Sequence, residues 1–341
     1  AKANWEAIEI AKSYGYDLLS AADYKTNYIG TTYTNEQLWG YYAGTYSYGD
    51  LPGYQNGIFA NSKSSNSGEC PTQNTVDKFE TKWGEPLNTQ SNRDAATAAG
   101  HYNEQNPYLN RDPRFYIDII YNTAPLTSYG TAKIYYEIIS GAPRYGQLLD
   151  QAYLGITHTG YYSRKRWGEQ STLNRISRQF TEPLMRLGEL YLNYAEAANE
   201  AYGPNTPASG ASMTAVDAIN LIRTRIGMLP VLTAYTTDKD AFGPRIKNER
   251  TVELMQEGGH YYFDIRRWMD APVTMSSTLY GMDIEKLPAG YSPLAYPTGY
   301  RYNRVPLPDT RQTKWKNAMY YLPFMVDDIY KMKNFIPNEN W

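Results

Sequence analysis

One stretch of this chain leaves little freedom in what it can fold into. Leu184, Leu187, Tyr191, Tyr194, Ala198 and Ala201 recur at steps of three, four, three, four and three. An α-helix turns every 3.6 residues, so this spacing draws one apolar stripe down a helix and leaves the other face polar. Thr181 stands where it can cap the first turn, Pro183 falls where a missing N–H costs little, and Gly203-Pro204 ends the pattern. After a loop, Thr214-Ala215-Val216-Asp217 has the form of a capping box, and Val216, Ile219, Ile222 and Ile226 draw a second stripe closed by Gly227. Two adjacent antiparallel helices bury such stripes against each other. A third helical segment begins near Ile246 and meets Gly258-Gly259 in mid-pattern. Each glycine costs about 1 kcal/mol inside a helix, which predicts a break there. Residues 181–269 therefore read as a helical scaffold, and the expected class is mostly α.

The remainder is less regular. Residues 4–19 carry Trp5, Ile8 and Ala11 on one helical face. Residues 24–70 are rich in Gly, Asn, Ser, Thr and Tyr without a helical period, and read as long irregular loops. Residues 114–122 alternate, with Phe115, Ile117, Ile119 and Tyr121 on one side, and residues 133–140 alternate similarly. The two are expected to pair as a small β-hairpin. The tail from Ala271 onward holds many Pro and Tyr and reads as an irregular covering.

Charge and composition exclude several function classes. The 33 basic and 35 acidic residues are interspersed and leave a net charge of −2, so no field attracts nucleic acid or an anionic membrane. The single Cys70 can form neither an internal disulfide nor a Cys-based metal site. His101, His158 and His260 have no ligand spacing, and Asp238-Lys239-Asp240 lacks the remainder of a calcium loop. No nucleophile-elbow, zincin or phosphate-loop motif is present. Glu249, Arg250, Glu253, Glu257, His260, Asp264, Arg266 and Arg267 form a dense charged set, read here as ion pairs at the kink between helices. No catalytic residue, metal or cofactor is expected. The chain opens on Ala1-Lys2-Ala3-Asn4-Trp5 directly into a helical pattern, and is expected to be a processed piece whose N-terminus lies upstream. Polar residues precede Cys70, so it does not fit a lipidation site.

The chain has 35 Tyr, and their clustering points to a binding surface. Residues 28–59 hold nine aromatics: Tyr28, Tyr33, Trp39, Tyr41, Tyr42, Tyr46, Tyr48, Tyr54 and Phe59. Asn35, Gln37, Asp50, Gln55 and Asn56 are interleaved with them. Sugar recognition needs flat apolar rings for the C–H face of a pyranose and planar polar groups for its hydroxyls, and this mixture supplies both. The ligand-binding candidates are Trp39, Tyr41, Tyr42, Tyr46, Tyr48 and Tyr54, with Trp83 a weaker one. The competing reading is that these rings pin a long loop onto the helices.

Leu187-Gly188-Glu189-Leu190-Tyr191 matches the opening of a tetratricopeptide helix. More of the chain resembles the SusD/RagB family. The resemblance rests on residues 186–268, on CPTQNTVDKFET (70–81), NPYLNRDPRFYIDIIYN (106–122) and TGYYSRKRW (159–167), and on the terminal YYLPFMVDDIYKMKNFIPNENW (320–341). It implies a SusD-like fold of tetratricopeptide-like helical hairpins with long irregular loops and a small β-hairpin. Residues 1–341 would form one such domain without the family's usual N-terminal helical part, and residues 24–70 would supply ligand-face loops. It also implies a non-catalytic outer-membrane lipoprotein, attached through an N-terminal lipid not present in this chain. Such a protein captures an oligosaccharide, or sometimes a peptide, for a SusC-type TonB-dependent transporter. A helical scaffold for a protein partner alone is the remaining alternative.

Overall fold

The computed structural model describes residues 1–30, 32–46, 70–126, 130–132, 134, 136–137, 157–166, 178–331, 334, 336 and 338. Helices dominate these residues and the sheets are small. Helix α1 spans Lys2–Ser13 and buries Trp5, Ile8 and Ala11. Helices α2 (Leu187–Tyr202), α3 (Ala215–Arg225) and α4 (Lys239–Glu253) follow, then α5 (His260–Arg267). Helices α1, α3 and α4 each pack on α2. Their shared core holds Ile8, Leu187, Tyr191, Ala198, Ile219, Ile222, Phe242 and Ile246. Each large aliphatic or aromatic side chain among them contributes about 1.5–3 kcal/mol by leaving water, and the alanines let the axes approach. The capping box closes as its sequence requires, with Asp217 N–H donating to the Thr214 hydroxyl and Thr214 N–H to the Asp217 carboxylate. Asp238, one of the two aspartates weighed for calcium, caps α4 by accepting from the N–H groups of Asp240 and Ala241. Between α4 and α5 the chain breaks at Gly258 and Gly259, both at positive φ.

Several local readings give way to long-range pairing. Arg178–Arg186 is a strand, β2, and not the first turn of α2. It pairs antiparallel with β1, Gln37–Tyr46, which the composition presented as loop. Thr181 donates its hydroxyl to the Gly30 carbonyl instead of capping a helix, and Pro183 lies opposite Gly40 in the ribbon. A two-stranded ribbon has open edges, so a residue without an N–H is tolerated there. Helix α4 begins at Lys239, earlier than its apolar pattern shows. The pairing expected of 114–122 is not the one found among the described residues, and most of 133–140 lies outside them. Pro113–Asp118 is a short helix capped by Asp112, and Ile119–Ile120 pairs with Tyr162–Ser163. The tail contains the longest regular hairpin, β3 (Tyr280–Lys286) with β4 (Tyr300–Pro306), and Tyr136–Glu137 joins β3 in parallel. A second core under this hairpin gathers Phe79, Tyr108, Phe115, Tyr121, Tyr161, Met282 and Tyr302.

A buried ion network ties these parts together. Arg114 meets Asp112, Glu249 and Glu253 at 2.7, 2.6 and 2.9 Å. Arg186 meets Glu36, Glu253 and Glu257 at 2.6, 2.8 and 2.8 Å. Arg223 holds Glu80 and Glu249, and Arg225 holds Glu36 and Glu253. Arg245 reaches Glu80, and Lys165 reaches Glu257 at 2.8 Å. Among the described residues the connected set is therefore six cations (Arg114, Lys165, Arg186, Arg223, Arg225, Arg245) against six carboxylates (Glu36, Glu80, Asp112, Glu249, Glu253, Glu257). Desolvating so many charges offsets much of their attraction, and what the balance supplies is register. Removing one partner strands the others at about 3–5 kcal/mol, so segments far apart in sequence are held in one arrangement.

The network also explains the glycine of the helix opening. A Cβ on Gly188 would lie 2.6 Å from Arg186 Nη1 and 2.9 Å from Glu36 Oε1. The glycine leaves room for a buried ion pair. The remaining charges at the α4–α5 kink are also mostly paired: Arg250 with Asp264 at 2.6 Å, and Arg267 with Glu196 and Asp264. Arg266 lies over the Tyr262 ring.

Candidate functional site

The β1–β2 ribbon sets the candidate site. Its register slips between Gln37 and Trp39 and again between Trp39 and Gly40. Such irregularities re-aim side chains, and here Trp39 stands 65% exposed with Tyr41, two residues on, 58% exposed. Hydrophobic burial would favour hiding both rings, so their exposure marks the surface.

Trp39 lines a cleft of about 530 Å³, within the roughly 300–1,000 Å³ common for small-molecule sites. One wall is the end of α1, where the helix stops and presents Tyr14 and Tyr16; the other is the segment from Tyr33 to Gly40. The backbone N–H of Asp17 donates to the Asn35 carbonyl at 3.0 Å and joins the two walls. The Thr34 and Gln37 side chains are already committed. The Thr34 hydroxyl donates to Asn27 Oδ1 at 2.6 Å and Gln37 Nε2 to the Asn27 carbonyl at 2.8 Å. The Asn35 carboxamide is exposed and has no hydrogen-bond partner among the described residues. Tyr33 lies over Gly40: its hydroxyl donates to the Gly40 carbonyl at 3.3 Å, and a Cβ at position 40 would come within 2.7 Å of the ring. The cleft thus offers exposed indole and phenol faces and the Asn35 amide, which no described residue engages.

The predicted residues fall out unevenly. Trp39 lines this cleft, and Tyr41 is exposed on the same strand outside its lining. Tyr42 and Tyr46 belong to β1, with their side chains outside the described residues, and Tyr48 and Tyr54 lie outside them altogether. Tyr28 is core, donating its hydroxyl to Glu257 at 3.0 Å. Trp83 has one face taken by His101, stacked at a centroid distance of 3.9 Å. Tyr14 and Tyr16 went unmarked in the sequence because they sit some twenty residues before the Trp; the terminator Gly15 between them is the one local sign of a surface turn.

A second, larger cleft of about 1400 Å³ opens between the segment after Cys70, the β3–β4 hairpin and the turn following α5. Among the described residues no group of three or more His, Cys, Asp or Glu is arranged to hold a metal. Among the same residues no helix is long and apolar enough to cross a membrane.

The sequence profile of the SusD family matches residues 35–341. None of the curated proteins matches the chain. Among solved structures, a SusD-like protein from Bacteroides fragilis superposes with a TM-score of 0.68 at 22% identity, covering 100% of this chain and 62% of its own. A SusD-like carbohydrate binding protein from the same organism gives 0.58 at 23%, covering 92% of this chain and 55% of its own. A SusD superfamily protein from Bacteroides vulgatus gives 0.54 at 17%, covering 100% and 59%. The chain spans less than two thirds of the length of each of these structures.

Proposed function

Because the chain belongs to the SusD family, we propose that it is a surface glycan-binding protein whose Trp39 cleft captures an oligosaccharide without transforming it. The observation that carries this reading is the exposure of Trp39 beside Tyr14 and Tyr33 in a cleft that the exposed Asn35 also lines. A pyranose stacks its C–H face on such rings, and by analogy with base stacking each ring is worth about 1–3 kcal/mol. The Tyr-rich stretch that begins at residue 24 would extend the ligand face beyond the strand. A relative of the same fold is described as carbohydrate binding, which supports the ligand class. Family membership further supports an outer-membrane, cell-surface location through a lipid on a longer chain, and handover of the captured glycan to a SusC-type TonB-dependent transporter.

Affinity electrophoresis tests the ligand class. The protein is run through gels containing one polysaccharide each, and in parallel over columns bearing mixed peptides. Retardation by at least one glycan, lost in Trp39→Ala, is expected. Retention on peptides with no retardation by any glycan would replace the sugar with a peptide. Retention by neither, with capture of a transporter protein, would reduce the chain to a scaffold.

A further inference from the structure

The larger cleft holds a charge that no described residue lining it balances. Five charged residues line it: Asp77, Lys78, Arg93, Glu104 and Arg304. Four of these are paired. Arg93 meets Glu104 at 2.7 Å and Asp77 at 4.0 Å, and Arg304 reaches both Asp77 and Glu104. Two cations and two carboxylates cancel, and Lys78 is left. Its ammonium has no hydrogen-bond or ion-pair partner among the described residues. The carboxylate that acts on it, Asp270, is already held by Lys247 at 2.7 Å.

The surroundings of Lys78 make this cation costly. Burial, with Arg245 adding repulsion and Asp270 opposing it, holds the ammonium below the ordinary lysine range. An anion entering the cleft would therefore gain a half-buried cation that has no partner among the described residues, and a charged hydrogen bond to it favours binding about tenfold or more. The rest of the lining suits a sugar chain. Tyr261 is exposed and Tyr280 half-buried, and the exposed Asn88 and Asn303 add amides at the rim.

We infer that this cleft is a second ligand site, separate from the Trp39 cleft, and that it takes an acidic oligosaccharide whose carboxylate pairs with the Lys78 ammonium. The inference shares with the proposed function only the ligand's being a glycan. Lys78 is the specificity-determining group. The tyrosines and amides hold the sugar rings on either side of its carboxylate.

The test titrates uronic-acid oligosaccharides (oligogalacturonide, alginate and glucuronoxylan fragments) and their neutral methyl esters into the wild type, Lys78→Gln, Lys78→Arg and Trp39→Ala. At least one acid is expected to bind about tenfold or more tightly than its ester, as one charged hydrogen bond requires. Lys78→Gln should erase that preference, Lys78→Arg should keep it, and Trp39→Ala should leave it unchanged while weakening neutral glycans. Repeating the calorimetry in buffers of different ionisation enthalpy at successively higher pH should show proton uptake on binding, absent in Lys78→Gln. Equal affinity for every acid and its ester, absence of binding by the whole panel, or a preference surviving in Lys78→Gln would overturn the inference. So would acidic peptides binding at Lys78 where acidic sugars do not. Loss of neutral-glycan binding alone would concern Trp39 and leave this site standing.

Discussion

Asp118 is the group whose titration should govern the stability of the fold. Its carboxylate is fully buried, and neither oxygen has a hydrogen bond among the described residues. It faces Lys165 from the 157–166 segment, Glu253 from α4, Glu257 from the turn beyond it, Tyr24, and Arg114 on its own short helix. Those cations are already committed within the six-against-six network, so an ionised Asp118 would be a seventh, unpaired negative charge. Burial, with Glu253 and Glu257 adding to it and Lys165 and Arg114 opposing, pushes its pKa from 3.8 up to about 7. The unfolded chain ionises near the lower value and the folded chain near the higher. The stability Asp118 contributes is therefore fully present below about pH 4 and is lost as pH rises through about 7. Three pH units at about 1.4 kcal/mol each give about 4 kcal/mol. Asp118→Asn removes the titration. Urea unfolding of both proteins from about pH 4 to about pH 8.5 should show similar stability at the acid end. At the alkaline end the variant should be ahead by up to about 4 kcal/mol. Glu257 works in the opposite sense: Arg186 and Lys165 outweigh its burial and hold its pKa down to about 2. Its contribution is present above the ordinary glutamate value and lost as pH falls toward 2, below the window where Asp118 acts. Curves for wild type and Asp118→Asn that run parallel across the whole range would refute the reasoning.

Two further substitutions test close backbone contacts. Gly188→Ala drives a methyl into the Arg186–Glu36 pair, and denaturant unfolding should show a loss of about 2–4 kcal/mol, far above the cost of an ordinary helix surface change; unchanged stability would show that the pair can move aside. Gly40→Ala displaces the exposed Tyr33 ring and also presses on the Glu182 carbonyl of β2, 3.1 Å from the added Cβ. It should weaken glycan binding in titrations, Tyr33→Ala should weaken it as much at an unchanged melting temperature, and equal affinity in both would remove Tyr33 from the site.

The sequence was most legible where structure is local. The stripe of Leu187, Tyr191, Tyr194 and Ala198, the Thr214–Asp217 box and the break at Gly258-Gly259 depend on neighbours within a few residues, and each is found where the spacing puts it. Strand β2 was not legible, because Thr181 and Pro183 imitate a helix start and their true partners, Gly30 and Gly40, lie some 140–150 residues away. The alternation after Arg114 misled for a related reason. Arg114 turns into the ion network and Asp118 is buried beside it, a demand that no periodicity records. Legibility at the site divides the same way. Aromatic density points to Trp39, but Tyr33, Tyr14 and Tyr16 reach the cleft only through packing, and no sequence pattern shows that Lys78 would be left without a partner among the described residues.

The central claim is that Trp39 is a sugar platform. It is tested most directly by calorimetric titration of the glycan that retards the protein, into wild type and Trp39→Ala side by side. The ring is 65% exposed, so its removal should leave the fold intact. An unchanged melting temperature and an affinity loss of about 1–3 kcal/mol, roughly five- to 150-fold, are expected. Equal affinity in the two proteins would contradict it.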